Sequence, residues 1–269
     1  MNFFTYIVNW NEVYHNVLEV EKLFQKNNIP HKIINSGSIN HKHWMNVGDI
    51  RYYRQLYRAV KDFNFNYEYM FWLAGDVSSD NWENFISKAN SVVSKYNVWA
   101  YAPHLTYEPW NEESSKIFNL DSDEKLLLSI QTDGIAAILH RDIVLMLKEY
   151  FDYLSENVDL TTYVTGWGMD MIWCSYAIYN EKLILRDNSY ILNHPQGSSY
   201  SHYKAFVEVE DILNNFYSFC KIKGIDSDKI KKIHENMYGR MRGLDSCMTI
   251  ESFYSKSPKI NKEINLTHN

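Results

Sequence analysis

At 269 residues and 32.0 kDa the chain is long enough for one large α/β domain, or a domain with a smaller appendage, and can bury a full core. A formal net charge of -6 excludes a general attraction to nucleic acid or anionic membrane, so any polyanion contact must be local. Cys174, Cys220 and Cys247 are widely spaced and form no C-x-x-C pair, which excludes a disulfide framework and a zinc site; no apolar run is long enough to span a membrane, so a soluble cytoplasmic protein is expected.

Phe3 to Val8 is expected as a first strand, and Glu12 to Asn27 as a helix whose apolar Val13, Val17, Val20, Leu23 and Phe24 recur at helical spacing. His31 to Asn35 returns as a second strand. The turn between strand and helix, Asn9-Trp10-Asn11, has no glycine and so lacks the phosphate cradle of a Rossmann enzyme or a P-loop, which weighs against dehydrogenases, methyltransferases and kinases. Asn46-Val47-Gly48 opens a further helix on which Arg51 and Arg54 share a face. His41 and His43 lie in a polar loop and are not read as metal ligands.

Tyr69 to Ala74 is an uncharged run suited to a strand buried on both faces, and it ends abruptly in Gly75, Asp76 and Ser78. In open α/β sheets the carboxyl ends of strands form the ligand crevice, which makes Asp76 the first candidate site residue. Asp80 with Glu83 has capping-box spacing for the helix that follows, to about Val93. A strand from Val98 to Ala102 precedes an irregular acidic stretch, Pro103 to Asp121, that contains Trp110 and has the length of a lid or binding loop.

Gln131-Thr132-Asp133-Gly134 joins two apolar runs, with Asp133 as a turn residue or a site carboxylate; the second run ends at His140-Arg141-Asp142 before a helix. Thr165-Gly166-Trp167-Gly168-Met169-Asp170 leads into the helical MIWCSYAIY, placing Asp170 at a helix N-terminus as a cap or a functional acid. Asp187 to Lys204, DNSYILNHPQGSSYSHYK, is expected as a polar loop carrying His194. Phe206 to Arg242 is helical in pattern and basic, with Lys221, Lys223, Lys229, Lys231, Lys232, Arg240 and Arg242, either a solvated face or a contact for a polyanion.

The apolar strand ending at Asp76, the Gly-Trp-Gly-x-Asp element and the His-Pro-x-Gly segment at His194 come in an order and spacing that resemble GT-A fold glycosyltransferases, family 2 above all. The resemblance implies a mostly parallel sheet flanked by helices over residues 1–205, a helical module over 206–269, and transfer of a sugar from a nucleotide-sugar, a UDP-sugar first. It further implies a divalent cation, Mn2+ or Mg2+, held by Asp76 with Ser78 and His194, although Ala74-Gly75-Asp76 supplies only the second carboxylate of an Asp-x-Asp motif. Trp10 and Asn11 would then meet the base, Arg51 and Arg54 the diphosphate, and Gly197, Ser198, Tyr200 and Lys204 would close over the phosphates. Asp170 would be the base of an inverting reaction, with Trp110, Asp133 and Trp167 at the acceptor.

Two acceptors follow: a surface glycan or, since the Asn-, Lys- and Tyr-rich composition resembles bacteriophage proteins, a hydroxymethylated DNA base. The alternatives are a sugar- or nucleotide-binding module without catalysis and a nucleotide-using α/β enzyme of other chemistry.

Overall fold

A computed structural model describes residues 2–49, 51–106, 115–117, 125–159, 163, 165–195 and 202–241. The chain begins with β1 (Phe3–Asn9), α1 (Tyr14–Lys26), β2 (His31–Asn35), β3 (Met45–Asn46), α2 (Tyr52–Asp62), β4 (Tyr69–Ala74), α3 (Trp82–Tyr96) and β5 (Val98–Leu105). It continues through β6 (Ser115–Ile117), β7 (Leu126–Ser129), β8 (Ala136–His140), α4 (Arg141–Asn157), α5 (Met169–Tyr179), β9 (Leu183–Leu192), α6 (His202–Ile222) and α7 (Ser227–Met241).

The strands form one nine-stranded sheet in the order β3-β2-β1-β4-β8-β5-β9-β7-β6. Strands β1 to β4 are mutually parallel, β5 pairs with β9 in parallel, and β8 lies antiparallel between β4 and β5. This is the mostly parallel, helix-flanked α/β sheet that the GT-A resemblance implies. The pairing has one consequence for function: the carboxyl ends of β1, β2, β4, β5 and β9 line one edge of the sheet, together with the amino end of β8.

Burial explains the assignment of elements. Tyr69 to Leu73 of β4 are all buried between two neighbouring strands and helices on the faces, as an uncharged run requires. Helix α1 turns Val17, Val20 and Phe24 inward on one stripe, whereas α5 buries Met169, Met171, Ile172, Trp173, Cys174, Ala177 and Ile178 on every side and is an internal helix. Burying each large apolar side chain of this kind contributes about 1.5–3 kcal/mol relative to leaving it exposed.

Helices α6 and α7 add Val209, Ile212, Phe216, Phe219, Ile230 and Met237 to the same hydrophobic core as the sheet. Tyr150 of α4 donates its hydroxyl to the Ile212 carbonyl at 2.6 Å. The boundary expected after residue 205 falls inside α6. Among the described residues no helix is long and apolar enough to cross a membrane.

Three local expectations are corrected. Helix α3 begins one residue later than a cap at Asp80 requires: Asn81 is the N-cap residue, its N–H meets Ser79 Oγ at 3.1 Å, and the Asp80–Glu83 capping box does not form. Strand β5 runs on to Leu105, because His104 and Leu105 pair with Ile191 and Leu192 of β9 after a register shift. For the same reason the segment from Asp187 is strand as far as Leu192, with Asp187 itself buried and accepting a hydrogen bond from the Tyr101 hydroxyl at 2.8 Å.

Candidate functional site

The first half of the site is built where β4 stops. Gly75 lies so close to β1 that a Cβ there would stand 2.1 Å from the Val8 carbonyl oxygen and 2.8 Å from the Val13 and Val17 methyls. Only glycine permits this approach, which turns the chain sharply into Asp76. Asn16 of α1 fixes the turn by donating Nδ2 to the carbonyls of Gly75 (2.6 Å) and Val77 (2.9 Å). Ser78 and Asn193 then exchange backbone hydrogen bonds of 2.9 and 2.8 Å. That bridge sets His194 Nε2 3.5 Å from Asp76 Oδ2. Thr106, at the end of β5, holds the other side of His194 through both backbone groups, at 3.0 and 3.1 Å.

Asp76 Oδ1 is buried and has no hydrogen-bond partner. A buried carboxylate oxygen of this kind fits a cation. Among the described residues there is no group of three or more His, Cys, Asp or Glu that could form a metal cage. Ala74, where an Asp-x-Asp motif has its first carboxylate, instead ends β4 with its N–H donated to the Ile135 carbonyl at 2.8 Å. One carboxylate and one imidazole make a partial shell, which an ion would complete with phosphate oxygens and water; the carboxylate suits Mg2+ or Mn2+, whereas the imidazole is not a usual Mg2+ ligand.

The second half centres on Asp170. The Gly-Trp-Gly element is explained by backbone: Gly166 has φ +75° and Gly168, the N-cap of α5, φ +91°, a region that disfavours other residues. Glu208 of α6 anchors the approach by accepting from Thr165 N–H and Oγ1–H, both at 2.8 Å. Trp167 is half-buried, with its ring edge-on to Phe206 at 5.6 Å between centroids. Asp170 enters in the first turn of α5, and Gln131 donates Nε2 to its Oδ2 at 2.5 Å. Burial raises the Asp170 carboxyl above the ordinary aspartate value, against the Gln131 hydrogen bond and the backbone N–H groups of the helix start, which lower it. A carboxylate so desolvated is a stronger base than one in water.

Residues 131–135 connect the two halves. At one end Gln131 holds Asp170, and at the other the Ile135 carbonyl receives the N–H of Ala74, two residues before Asp76. Between them Trp173 Nε1 donates to Thr132 Oγ1 at 2.9 Å and Tyr52 donates its hydroxyl to the Gly134 carbonyl at 2.8 Å. Asp133 Oδ1 accepts from the Ile135 N–H at 3.0 Å, the contact of a turn residue.

The remaining expected residues are distributed as follows. Trp10 is half-buried in the turn after β1, and Asn11 Oδ1 accepts from the N–H (2.7 Å) and hydroxyl (3.0 Å) of Ser38, closing the loop after β2. Arg51 precedes α2 and is paired to Asp49, while Arg54 Nε stands 4.0 Å from the same carboxylate. The hydrogen bonds of Arg51 hold the Asp49 carboxyl below the usual range, whereas Arg54 Nε reaches no hydrogen bond. Lys204 is exposed in the first turn of α6. Trp110, Gly197, Ser198 and Tyr200 lie outside the described residues. His41 stacks on Trp44 at 4.4 Å.

Two residues not singled out in the sequence also matter. Asn9 ends β1 fully buried and donates Nδ2 to Asn35 Oδ1 at 2.7 Å, and Asn35 in turn donates to Asn46 Oδ1 at 2.7 Å. Asn9 Oδ1 has no hydrogen-bond partner, and neither does Gln131 Oε1. A polar residue closing an otherwise apolar strand was the available signal for Asn9; for Gln131 there was none beyond its place in a turn.

No family model and no curated protein matches the chain. Among the solved structures similar to it are these three. One is S. aureus TarS over residues 1–349, at TM-score 0.45 and 11% identity, covering 100% of this chain and 92% of that one. Another is the catalytic domain of Drosophila beta1,4galactosyltransferase 7 in complex with xylobiose, at TM-score 0.42 and 9% identity, covering 78% and 80%. The third is a glycosyltransferase involved in glycosylation of the major capsid of PBCV-1, at TM-score 0.37 and 15% identity, covering 77% and 91%. Likeness at this level carries no functional weight, which leaves Asp76, His194, Gln131 and Asp170 to carry the functional reading.

Proposed function

We propose that this protein is a nucleotide-sugar-dependent glycosyltransferase whose donor lies across the carboxyl ends of β1, β2 and β4 and whose acceptor meets Asp170. The observation that supports it best is that one short connection, residues 131–135, is hydrogen-bonded at one end to Asp170 and at the other to Ala74, two residues before Asp76. Asp76 has a buried, unfilled oxygen beside His194, and Asp170 is desolvated and oriented by Gln131. In this reading Asn9, Trp10 and Asn11 face the nucleoside of the donor, and Asp76 with His194 holds a divalent cation, Mn2+ or Mg2+, on its diphosphate. The cation supplies charge neutralisation for the departing diphosphate, the largest electrostatic demand of the reaction.

Asp170 takes the proton of the acceptor hydroxyl as that oxygen attacks the anomeric carbon. The bond from that carbon to the diphosphate breaks with its electron pair leaving on the phosphate oxygen, and the proton stays on Asp170 Oδ1 or Oδ2 until solvent removes it. One displacement inverts the anomer. A cytoplasmic setting suits the two described cysteines, Cys174 and Cys220, which are buried free thiols.

The test is incubation with UDP-, GDP- and dTDP-sugars and a glycan panel, reading acceptor-dependent release of nucleoside diphosphate. Release in the native protein and its loss in Asp170→Asn support the reading. Tight nucleotide-sugar binding without release under any acceptor would favour the binding-module alternative, to which Ala74 in place of a carboxylate lends weight.

As for the acceptor, the basic face of α7 is interrupted: Asp228 and Glu235 lie on the same helix, and the Lys229 ammonium sits over the Tyr179 ring at 4.8 Å. A glycan acceptor is therefore preferred to hydroxymethylated DNA. A DNA acceptor would show affinity falling steeply with salt, which charge reversal at Lys229, Lys231 and Lys232 would flatten.

A further inference from the structure

Gln131 is 7% exposed as a residue, and the two polar ends of its side chain are in different states. Nε2 donates to Asp170 Oδ2, whereas Oε1 is buried with no hydrogen-bond partner. The backbone of Gln131 cannot swing to relieve this. Ser129 Oγ donates to the Gln131 carbonyl at 2.6 Å and accepts the Gln131 N–H at 3.2 Å, and both residues are buried. An ionised carboxylate accepts and never donates, so the amide must present its NH2 to Asp170, which leaves Oε1 with its acceptor capacity unused. A buried acceptor left unmade costs about 1–3 kcal/mol. Such a deficit at the side of a candidate base is a place for a ligand donor.

We propose that Gln131 selects the acceptor: Nε2 orients the Asp170 carboxylate, and Oε1 accepts a hydrogen bond from a hydroxyl adjacent to the one that attacks. The preferred acceptor is then a carbohydrate presenting a vicinal diol, one hydroxyl giving its proton to Asp170 and its neighbour donating to Gln131. An isolated hydroxymethyl group has no second hydroxyl to offer. This rests on glycosyl transfer with Asp170 as base.

The experiment uses methyl hexopyranosides and their monodeoxy analogues with the full-length protein, Gln131→Met and Gln131→Glu. In the native protein, removing the hydroxyl next to the attacking one lowers kcat/KM by about tenfold or more, because a site built for a hydroxyl rejects the analogue lacking it. In Gln131→Met the parent and deoxy acceptors become equivalent, the acidic limb of the kcat profile moves to higher pH because Asp170 has lost a donor, and affinity for uridine diphosphate is unchanged. Gln131→Glu sets a second carboxyl against Asp170, so the two share one proton and the acidic limb moves to higher pH; the proton lies between the pair, an oxygen remains at the Oε1 position, and the discrimination against the deoxy sugar is retained.

Active native protein whose parent-to-deoxy ratio is the same as that of Gln131→Met overturns the assignment of Gln131 alone, and points to a buried water at Oε1. Transfer to hydroxymethylated DNA with none to any glycoside overturns the diol. Native protein without transfer to any acceptor overturns the glycosyltransferase reading, and this inference with it.

Discussion

The ring of Tyr52 occupies the space that a side chain at Gly166 would need: a Cβ on Gly166 would lie 2.2 Å from Tyr52 Cδ1 and 2.3 Å from Cγ. The same tyrosine donates to the Gly134 carbonyl and packs edge-on against Trp72 of β4 at 5.5 Å. One aromatic residue at the start of α2 thus joins the loop that delivers Asp170, the connection that carries Gln131, and the strand that ends at Asp76.

Gly166→Ala should therefore damage the site and the fold together. The positive φ and the overlap with Tyr52 each cost roughly 1–3 kcal/mol. We expect a melting temperature lower by several degrees and loss of transfer. Tyr52→Phe keeps the ring and forfeits one hydrogen bond, so it should cost about 1 kcal/mol. Thermal unfolding of both variants checks the order; an unperturbed Gly166→Ala would show that Tyr52 does not brace this loop.

Asp170→Asn should separate activity from stability. The native carboxyl is raised by burial, so its ionised form is less favourable in the folded chain than in the unfolded one. The folded state holds the proton more tightly. Stability therefore falls as pH rises from the ordinary aspartate range through the raised folded value, and is flat above it. The asparagine variant lacks that penalty, so at neutral pH it should be as stable as the native protein or more so, while transfer slows about 10²- to 10⁴-fold. Urea midpoints between pH 4 and 8, alongside transfer rates, check both. A variant that is markedly less stable would make Asp170 a structural cap.

A buried histidine should make the fold sensitive to acid. His234 of α7 places Nδ1 2.9 Å from the Tyr217 hydroxyl and Nε2 2.7 Å from Ser175 Oγ, and burial pushes its pKa down to about 4. The unfolded chain binds this proton at the ordinary histidine value, so stability should be lost as pH falls from about 6.5 towards 4, by an amount on the order of 3 kcal/mol. In His234→Phe the baseline is lower because the hydrogen bonds are gone, but the slope over that interval should flatten. Midpoints at pH 4.5, 5.5 and 7 decide it; an unchanged slope would move the acid sensitivity elsewhere.

Much of this was legible in the sequence because local rules and tertiary packing agree. The uncharged Tyr69–Ala74 run suits a strand buried on both faces, which β4 is, and its abrupt end singled out Asp76. The Gly-Trp-Gly-x-Asp element marked a helix start at Asp170, and the structure adds that Gly166 and Gly168 both have positive φ. The failures occur where a nearby residue competes for a group, or where pairing is set by distant strands. Asp49 takes the hydrogen bonds of Arg51 and stands 4.0 Å from Arg54 Nε, so helical spacing alone could not say which way the two arginines turn. Asp187 is strand because β5 and Tyr101 receive it. Gln131 carries no local signature, since its role arises from a chain crossing that brings it to Asp170.

The central claim is a division of labour, Asp76 for the donor and Asp170 for the acceptor proton. Calorimetric titration of uridine diphosphate in the presence of Mn2+ tests it most directly when applied to the native protein, Asp76→Asn and Asp170→Asn. Asp76→Asn should weaken binding by roughly tenfold or more, since it removes a charged ligand from the diphosphate's cation; Asp170→Asn should bind as the native protein does. Native affinity in Asp76→Asn, or an equal loss in Asp170→Asn, would contradict the account.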